Sequence, residues 1–172
     1  MEKIIDRVKI GIDKYNWIMS RVDEVNVSAD SEFQRLYNGF YRMRQRPAGF
    51  YASYYAYLEQ NKHNRELTFE DVVAYLYRET GSIHASFSSK LLATVNPDMP
   101  IWDKFVLQNL GLRTPYYYEK DRLQKTVQIY QCICDWYKSS EATEKLNEFN
   151  RLFPNTDISN VKKIDFILWA TR

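Results

Sequence analysis

The sequence predicts an all-α fold, and three observations carry that prediction. Apolar residues recur at three- and four-residue intervals through most of the chain, the spacing that lines one side of a helix. The five prolines fall between these periodic stretches, where helices begin or end. No apolar/polar alternation lasts long enough between turn residues to make a strand. At 172 residues, with 45% hydrophobic and 27% charged, the composition excludes disordered and collagen-like chains. A chain of this length buries roughly 70% of its unfolded surface, enough for a real core. The expected architecture is one helical domain over residues 1–172, an orthogonal bundle of about eight helices.

The elements follow in order. Residues 2 to about 25 place Ile5, Val8, Ile12, Tyr15 and Val22 near helical spacing with charges between them. Ser31 is an N-cap for a second helix carrying Phe33, Leu36, Tyr37 and Phe40, which runs to the Arg46-Pro47 step because a residue before proline resists helix. Pro47 opens the third helix, where Phe50, Tyr54 and Leu58 form a core stripe while Tyr51 and Tyr55 are expected on an open face. Thr68 to Asp71 reads as a capping box, and Gly81 as the stop of that fourth helix.

A helix from Ser82 or Ile83 to Val95 stops at Asn96-Pro97, and another follows Asp103 as far as Leu110, with Gly111 as its stop. The longest helix is expected from Tyr118 to about Ser139, through Leu123, Val127, Tyr130, Ile133 and Tyr137. Segments 141–153 and 160–170 close the chain as two helices separated by Pro154-Asn155. In the last of them Asp165 sits in a strongly apolar run and is expected to cap a neighbouring helix or pair with an arginine.

Several chemistries find no residues. Cys132 and Cys134 lie two apart in a helical pattern and face different sides, so they cannot pair with each other. With only His63 and His84 besides, no metal-ligand set assembles, and no metal or cofactor is expected. Ser86, Ser88 and Ser89 suit close helix packing better than nucleophilic catalysis, since no histidine has a partner spacing. Apolar runs fall far short of the ~20 residues that span a bilayer, which predicts a cytoplasmic protein without a membrane partner.

Charge and aromatic content point towards an anionic partner. The net charge is only +2, but Arg42, Arg44, Arg46, Lys62 and Arg65 stand against one acid, Glu59, between positions 42 and 65. Arg42, Arg44 and Arg46 are followed closely by Tyr51 and Tyr55, and the chain holds 14 tyrosines. Cations interleaved with aromatics suit a nucleic acid, the cations holding the backbone and the rings stacking on exposed bases.

The stretch Thr80 to Leu112, TGSIHASFSSKLLATVNPDMPIWDKFVLQNLGL, reads as helix end, glycine turn, helix, proline-bounded loop, aspartate and helix. This resembles the helix-hairpin-helix superfamily of base-excision DNA glycosylases over about a fifth of the chain. The resemblance implies a hairpin at Gly81-Ser82-Ile83, a second hairpin helix from Ser86 to Val95, and Asp103 as catalytic aspartate, although an aspartate just after a proline loop and before a helix also suits a helix N-cap whatever its function. Backbone N–H groups at such a turn would bind phosphate, with Ser82, His84, Lys90 and Lys104 nearby. The carboxylate would stabilise an oxocarbenium-like sugar or orient a water.

This chain has one glycine where the family has a glycine-richer hairpin, and Ala85 where lyase members carry a lysine. The implied activity is therefore metal-independent, monofunctional N-glycosidic hydrolysis on double-stranded DNA with a flipped or modified base. Two other readings stand beside it. One is a non-catalytic DNA-binding module on the same fold, and the other is a bacterial or phage accessory factor that binds a protein through its tyrosine-rich face.

Overall fold

A computed structural model describes residues 2–171. Among them are nine helices and no strand: α1 (Glu2–Glu24), α2 (Ser31–Phe40), α3 (Ala48–Asn61), α4 (Phe69–Thr80), α5 (Ala85–Val95), α6 (Lys104–Asn109), α7 (Arg122–Trp136), α8 (Ser140–Leu152) and α9 (Asn160–Ala170). The all-α class is as the periodicity predicts. None of the helices is long and apolar enough to cross a membrane.

Local chemistry fixes the boundaries. The N-cap of α2 is Asp30, not Ser31: its carboxylate accepts the Phe33 N–H at 2.7 Å. That helix also stops well before Pro47. Arg42 turns into the left-handed region (φ 49°), its N–H donates to Gly39 O at 3.3 Å, and Met43 N–H donates to Asn38 O at 2.9 Å. This pair of bonds is a Schellman ending, here built on an arginine instead of the usual glycine. The loop that follows carries Arg44 and Arg46 to the start of α3.

The capping box of α4 is complete, with Thr68 Oγ1 accepting from Asp71 N–H at 3.1 Å and Asp71 Oδ2 accepting from Thr68 N–H at 2.9 Å. Gly81 closes the helix at φ 74°, donating to Tyr77 O at 2.8 Å. The next helix, α5, starts only at Ala85. Gly111 (φ 65°) ends α6 as expected, with Leu112 N–H donating to Leu107 O at 2.9 Å. The helix expected from Tyr118 begins instead at Arg122, because Asp121 is left-handed (φ 56°) and the preceding residues fold into a turn, Glu119 N–H donating to Tyr116 O at 3.0 Å.

One apolar core gathers residues of α1 to α7 with contributions from α8 and α9, and contains Phe33, Tyr37, Tyr54, Leu58, Leu76, Leu91 and Ile133. A second, between α1, α8 and α9, contains Ile12, Tyr15, Phe149 and Phe166. Phe50, Tyr54 and Leu58 are buried as their stripe predicts. Two core tyrosines pair their hydroxyls, Tyr37 Oη lying 3.0 Å from both Tyr54 Oη and Thr94 Oγ1 and Tyr54 donating to Phe87 O at 3.1 Å, whereas the buried Tyr41 hydroxyl has no hydrogen-bond partner among the described residues. A hydroxyl without such a partner would cost about 1–3 kcal/mol.

Two expectations are corrected here. Tyr55 is fully buried rather than on an open face, packed against Phe33 and Tyr37, with its hydroxyl donated to Asn38 Oδ1. Asp165 neither caps a neighbouring helix nor meets an arginine. It accepts from Lys162 Nζ at 2.7 Å and from the Tyr137 hydroxyl at 2.6 Å, and the lysine and the aspartate are both buried. The Lys162 ammonium lies 5.1 to 5.7 Å from the ring centres of Trp169, Tyr15 and Tyr41, so aromatic faces replace part of its lost hydration.

Candidate nucleic-acid interface

Helices α4 and α5 pack on each other and are joined by the turn Gly81 to His84. In front of this turn lies an open cleft of about 400 Å³. The turn itself and the first turn of α5 form one wall; Arg46, Trp102, Thr114, Pro115, Tyr117, Arg122 and Thr126 complete it. The lining therefore draws on the loop before α3, the loop before α6, the loop between α6 and α7, and the start of α7.

The cleft is electrostatically one-sided. Two arginines and a histidine line it, and none of the described lining residues is acidic. Low-dielectric walls around one sign of charge concentrate counter-ions of the other sign. His84 is the N-cap residue of α5 but makes no side-chain capping bond, so the first N–H groups of that helix keep their capacity for an external acceptor. Its imidazole instead sits 3.0 Å from Thr80 Oγ1. Burial, and then the charge of Arg46, hold the His84 pKa below the usual histidine range. Arg46 places its guanidinium 5.2 Å from the centre of the Phe87 ring, and its Nε is buried without a hydrogen-bond partner.

Aromatic groups complete the site. Trp102 is fixed at the backbone by its N–H donated to Ser89 Oγ at 2.8 Å, and its ring stacks on Phe69 at 6.1 Å between centres. Tyr117 is 84% exposed and still borders the cleft.

Of the residues singled out from sequence, Gly81, Ser82, His84 and Arg46 come together here. Arg42 and Arg44 are exposed and Tyr51 is half-buried, but none of the three lines the cleft; the Tyr51 hydroxyl is donated to Arg44 O. Lys90 is half-buried behind Phe87, with Nζ 5.4 Å from that ring, and burial pushes its pKa down to about 8. Lys104 is exposed in the first turn of α6, away from the lining.

Asp103 occupies the N-cap of α6, where Oδ1 accepts the N–H groups of Phe105 at 2.7 Å and Val106 at 3.3 Å. It is 3% exposed and does not line the cleft. The geometry thus engages this carboxylate in a helix cap and gives it no open approach from solvent. Phe87, Trp102, Thr114, Pro115, Tyr117, Arg122 and Thr126 are lining residues that sequence reasoning missed. The run Tyr116-Tyr117-Tyr118 was the one local signal, since three adjacent large aromatics cannot all face a helical core.

Among the described residues no cluster of His, Cys, Asp or Glu has the geometry to hold a metal ion. Cys132 is exposed and Cys134 half-buried, and both are free thiols.

Comparison with protein families, curated proteins and solved structures gives no match. What the cleft takes must therefore be argued from its own chemistry.

Proposed function

We propose that the protein is a nucleic-acid-binding module that holds backbone phosphate in the cleft at the α4–α5 turn. The observation that carries this reading is the convergence of Arg46, His84, Arg122 and the uncapped start of α5 on a cavity without an acidic lining residue. A phosphate satisfies all of these at once: it accepts from helix N–H groups, pairs with guanidinium forks and prefers the positive end of the helix dipole. The turn also corresponds to the hairpin that resemblance to the glycosylase superfamily implies.

The binding module is favoured over the glycosylase because Asp103 lacks the access its role requires. A carboxylate that stabilises a sugar losing its base must meet that sugar, whereas Asp103 is 3% exposed and hydrogen-bonded to its own helix.

Fluorescence anisotropy with labelled DNA at several salt concentrations tests the proposal. Removing one phosphate-neutralising cation lowers the slope of log K against log salt by about one. Arg46→Ala and Arg122→Ala are each expected to flatten it so, while Lys104→Ala, outside the cleft, leaves it at the wild-type value. Absence of salt-dependent binding, or wild-type slopes in both arginine variants, refutes the assignment.

A further inference from the structure

We propose that the loop carrying Tyr116, Tyr117 and Tyr118 is a stacking platform for unpaired bases, so that the cleft takes single-stranded nucleic acid in preference to duplex. This rests on the reading of the cleft as a phosphate site and specifies its substrate.

The loop displays its rings outward: Tyr116 is 49%, Tyr117 84% and Tyr118 68% exposed. Tyr117 keeps most of its surface open to a ligand, whereas Tyr116 is half covered by Arg113 and Tyr118, its neighbours in the loop. The three rings are also held in a fixed arrangement. Glu119 accepts from Arg113 Nη1 at 2.5 Å and from the Tyr116 N–H at 2.8 Å on one oxygen, and from Lys125 Nζ at 2.9 Å on the other. These three donors, the lysine foremost, hold its carboxyl down to about 2, so the clamp stays charged throughout the physiological range.

Within that frame the Arg113 guanidinium lies 3.9 Å from the centre of the Tyr116 ring, and Tyr116 stacks on Tyr118 at 5.4 Å. Tyr117 stands at 81° to Tyr118 and borders the cleft, beside Thr114 and Pro115. One edge of the phosphate site is thus a pre-ordered aromatic surface. Binding to it requires little ordering of the protein, which is the cost that usually weakens loop-mediated recognition.

Charge decides what kind of aromatic-binding partner fits. The adjoining cleft carries arginines and no acid, so the ligand must combine flat rings with negative charge at close spacing. A nucleic-acid strand does so, and only unpaired bases present their faces to a tyrosine; in a duplex those faces are already stacked on one another.

The test compares a labelled single strand of about twelve nucleotides, within the range such sites cover, with the same sequence as blunt duplex. Wild type is expected to bind the single strand more tightly. Tyr117→Ala is expected to weaken that binding by about 5- to 150-fold and duplex binding by a smaller factor, with Tyr117→Trp restoring single-strand binding. Glu119→Ala, which releases the loop without touching a base, is expected to weaken single-strand binding less than Tyr117→Ala does. Because Tyr117 is 84% exposed, its replacement leaves the fold intact, which circular dichroism verifies. Equal affinity for both forms, or a silent Tyr117→Ala while Arg46→Ala still flattens the salt slope, overturns this inference and leaves the phosphate site standing. Failure of the wild type to bind either form overturns both.

Discussion

Replacing Lys90 by methionine is expected to stabilise the protein at neutral pH. The side chain is half-buried on α5 beside Phe87, no carboxylate of the described residues pairs with it, and burial lowers its pKa from 10.5 to about 8. Each unit of difference between folded and unfolded states is worth about 1.36 kcal/mol, so keeping the charge in the folded protein costs at most ~3 kcal/mol. An ammonium that snorkels to the edge of its burial recovers part of this, and a gain of ~1–2 kcal/mol is the working figure.

The sign follows from proton counting. Between about 8 and about 10.4 the unfolded chain keeps a proton that the folded chain has released, so wild-type stability rises with pH across that window. Methionine, of similar length and without charge, removes the dependence. Urea unfolding of both proteins at pH 7 and near pH 10.4 measures it: the variant should lead at pH 7 and lose most of the lead at the higher pH. A variant less stable than wild type at pH 7, or a lead that does not change with pH, refutes the reasoning and means that the ammonium has an acceptor. As Lys90 is outside the cleft lining, the salt slope of DNA binding should not move.

Two further substitutions test packing and the buried ion pair. Gly11→Ala places a methyl group 2.8 Å from Phe166 Cε1, inside the contact of α1 with α9, and the ring is too enclosed to yield freely. A loss of ~1–3 kcal/mol, reduced by the better helix propensity of alanine, should appear as a lower thermal midpoint. Lys162→Met leaves Asp165 buried without its cation and is expected to cost ~3–5 kcal/mol in chemical denaturation, whereas the double variant Lys162→Met, Asp165→Leu should recover most of the loss.

Periodicity and capping chemistry exposed much of the fold, because both depend on near neighbours in the chain. The Thr68 to Asp71 box, the Gly81 and Gly111 stops and the Phe50, Tyr54, Leu58 stripe are all local. Tyr55 was misplaced because spacing tells which residues share a face but not how many faces are covered. The buried side of α3 is wide enough to take in Tyr55 beside Phe50, Tyr54 and Leu58, and the open face falls instead on Ala52, Ala56 and Gln60. The early end of α2 was hidden since nothing but tertiary context puts an arginine in a left-handed conformation.

The candidate site divides in the same way. Gly81, Ser82 and His84 are consecutive or nearly so, and the turn was legible. Arg46, Trp102, Tyr117 and Arg122 come from four separate segments and meet only when the helices pack. Asp103 shows the opposite hazard: a proline-bounded loop ending in aspartate before a helix is as good a capping signal as a catalytic one, and the observed geometry is that of a cap.

The loop clamped by Glu119 owes its shape to its own side chains and to Lys125 at the start of α7, and very little to the cores beneath it. Its display can therefore be rewritten independently of folding. Other rings, or none, grafted at positions 116 to 118 leave the helical scaffold unaltered provided that the carboxylate and its two cations stay, which makes this segment the natural place for selection or a designer to retune what the molecule grips.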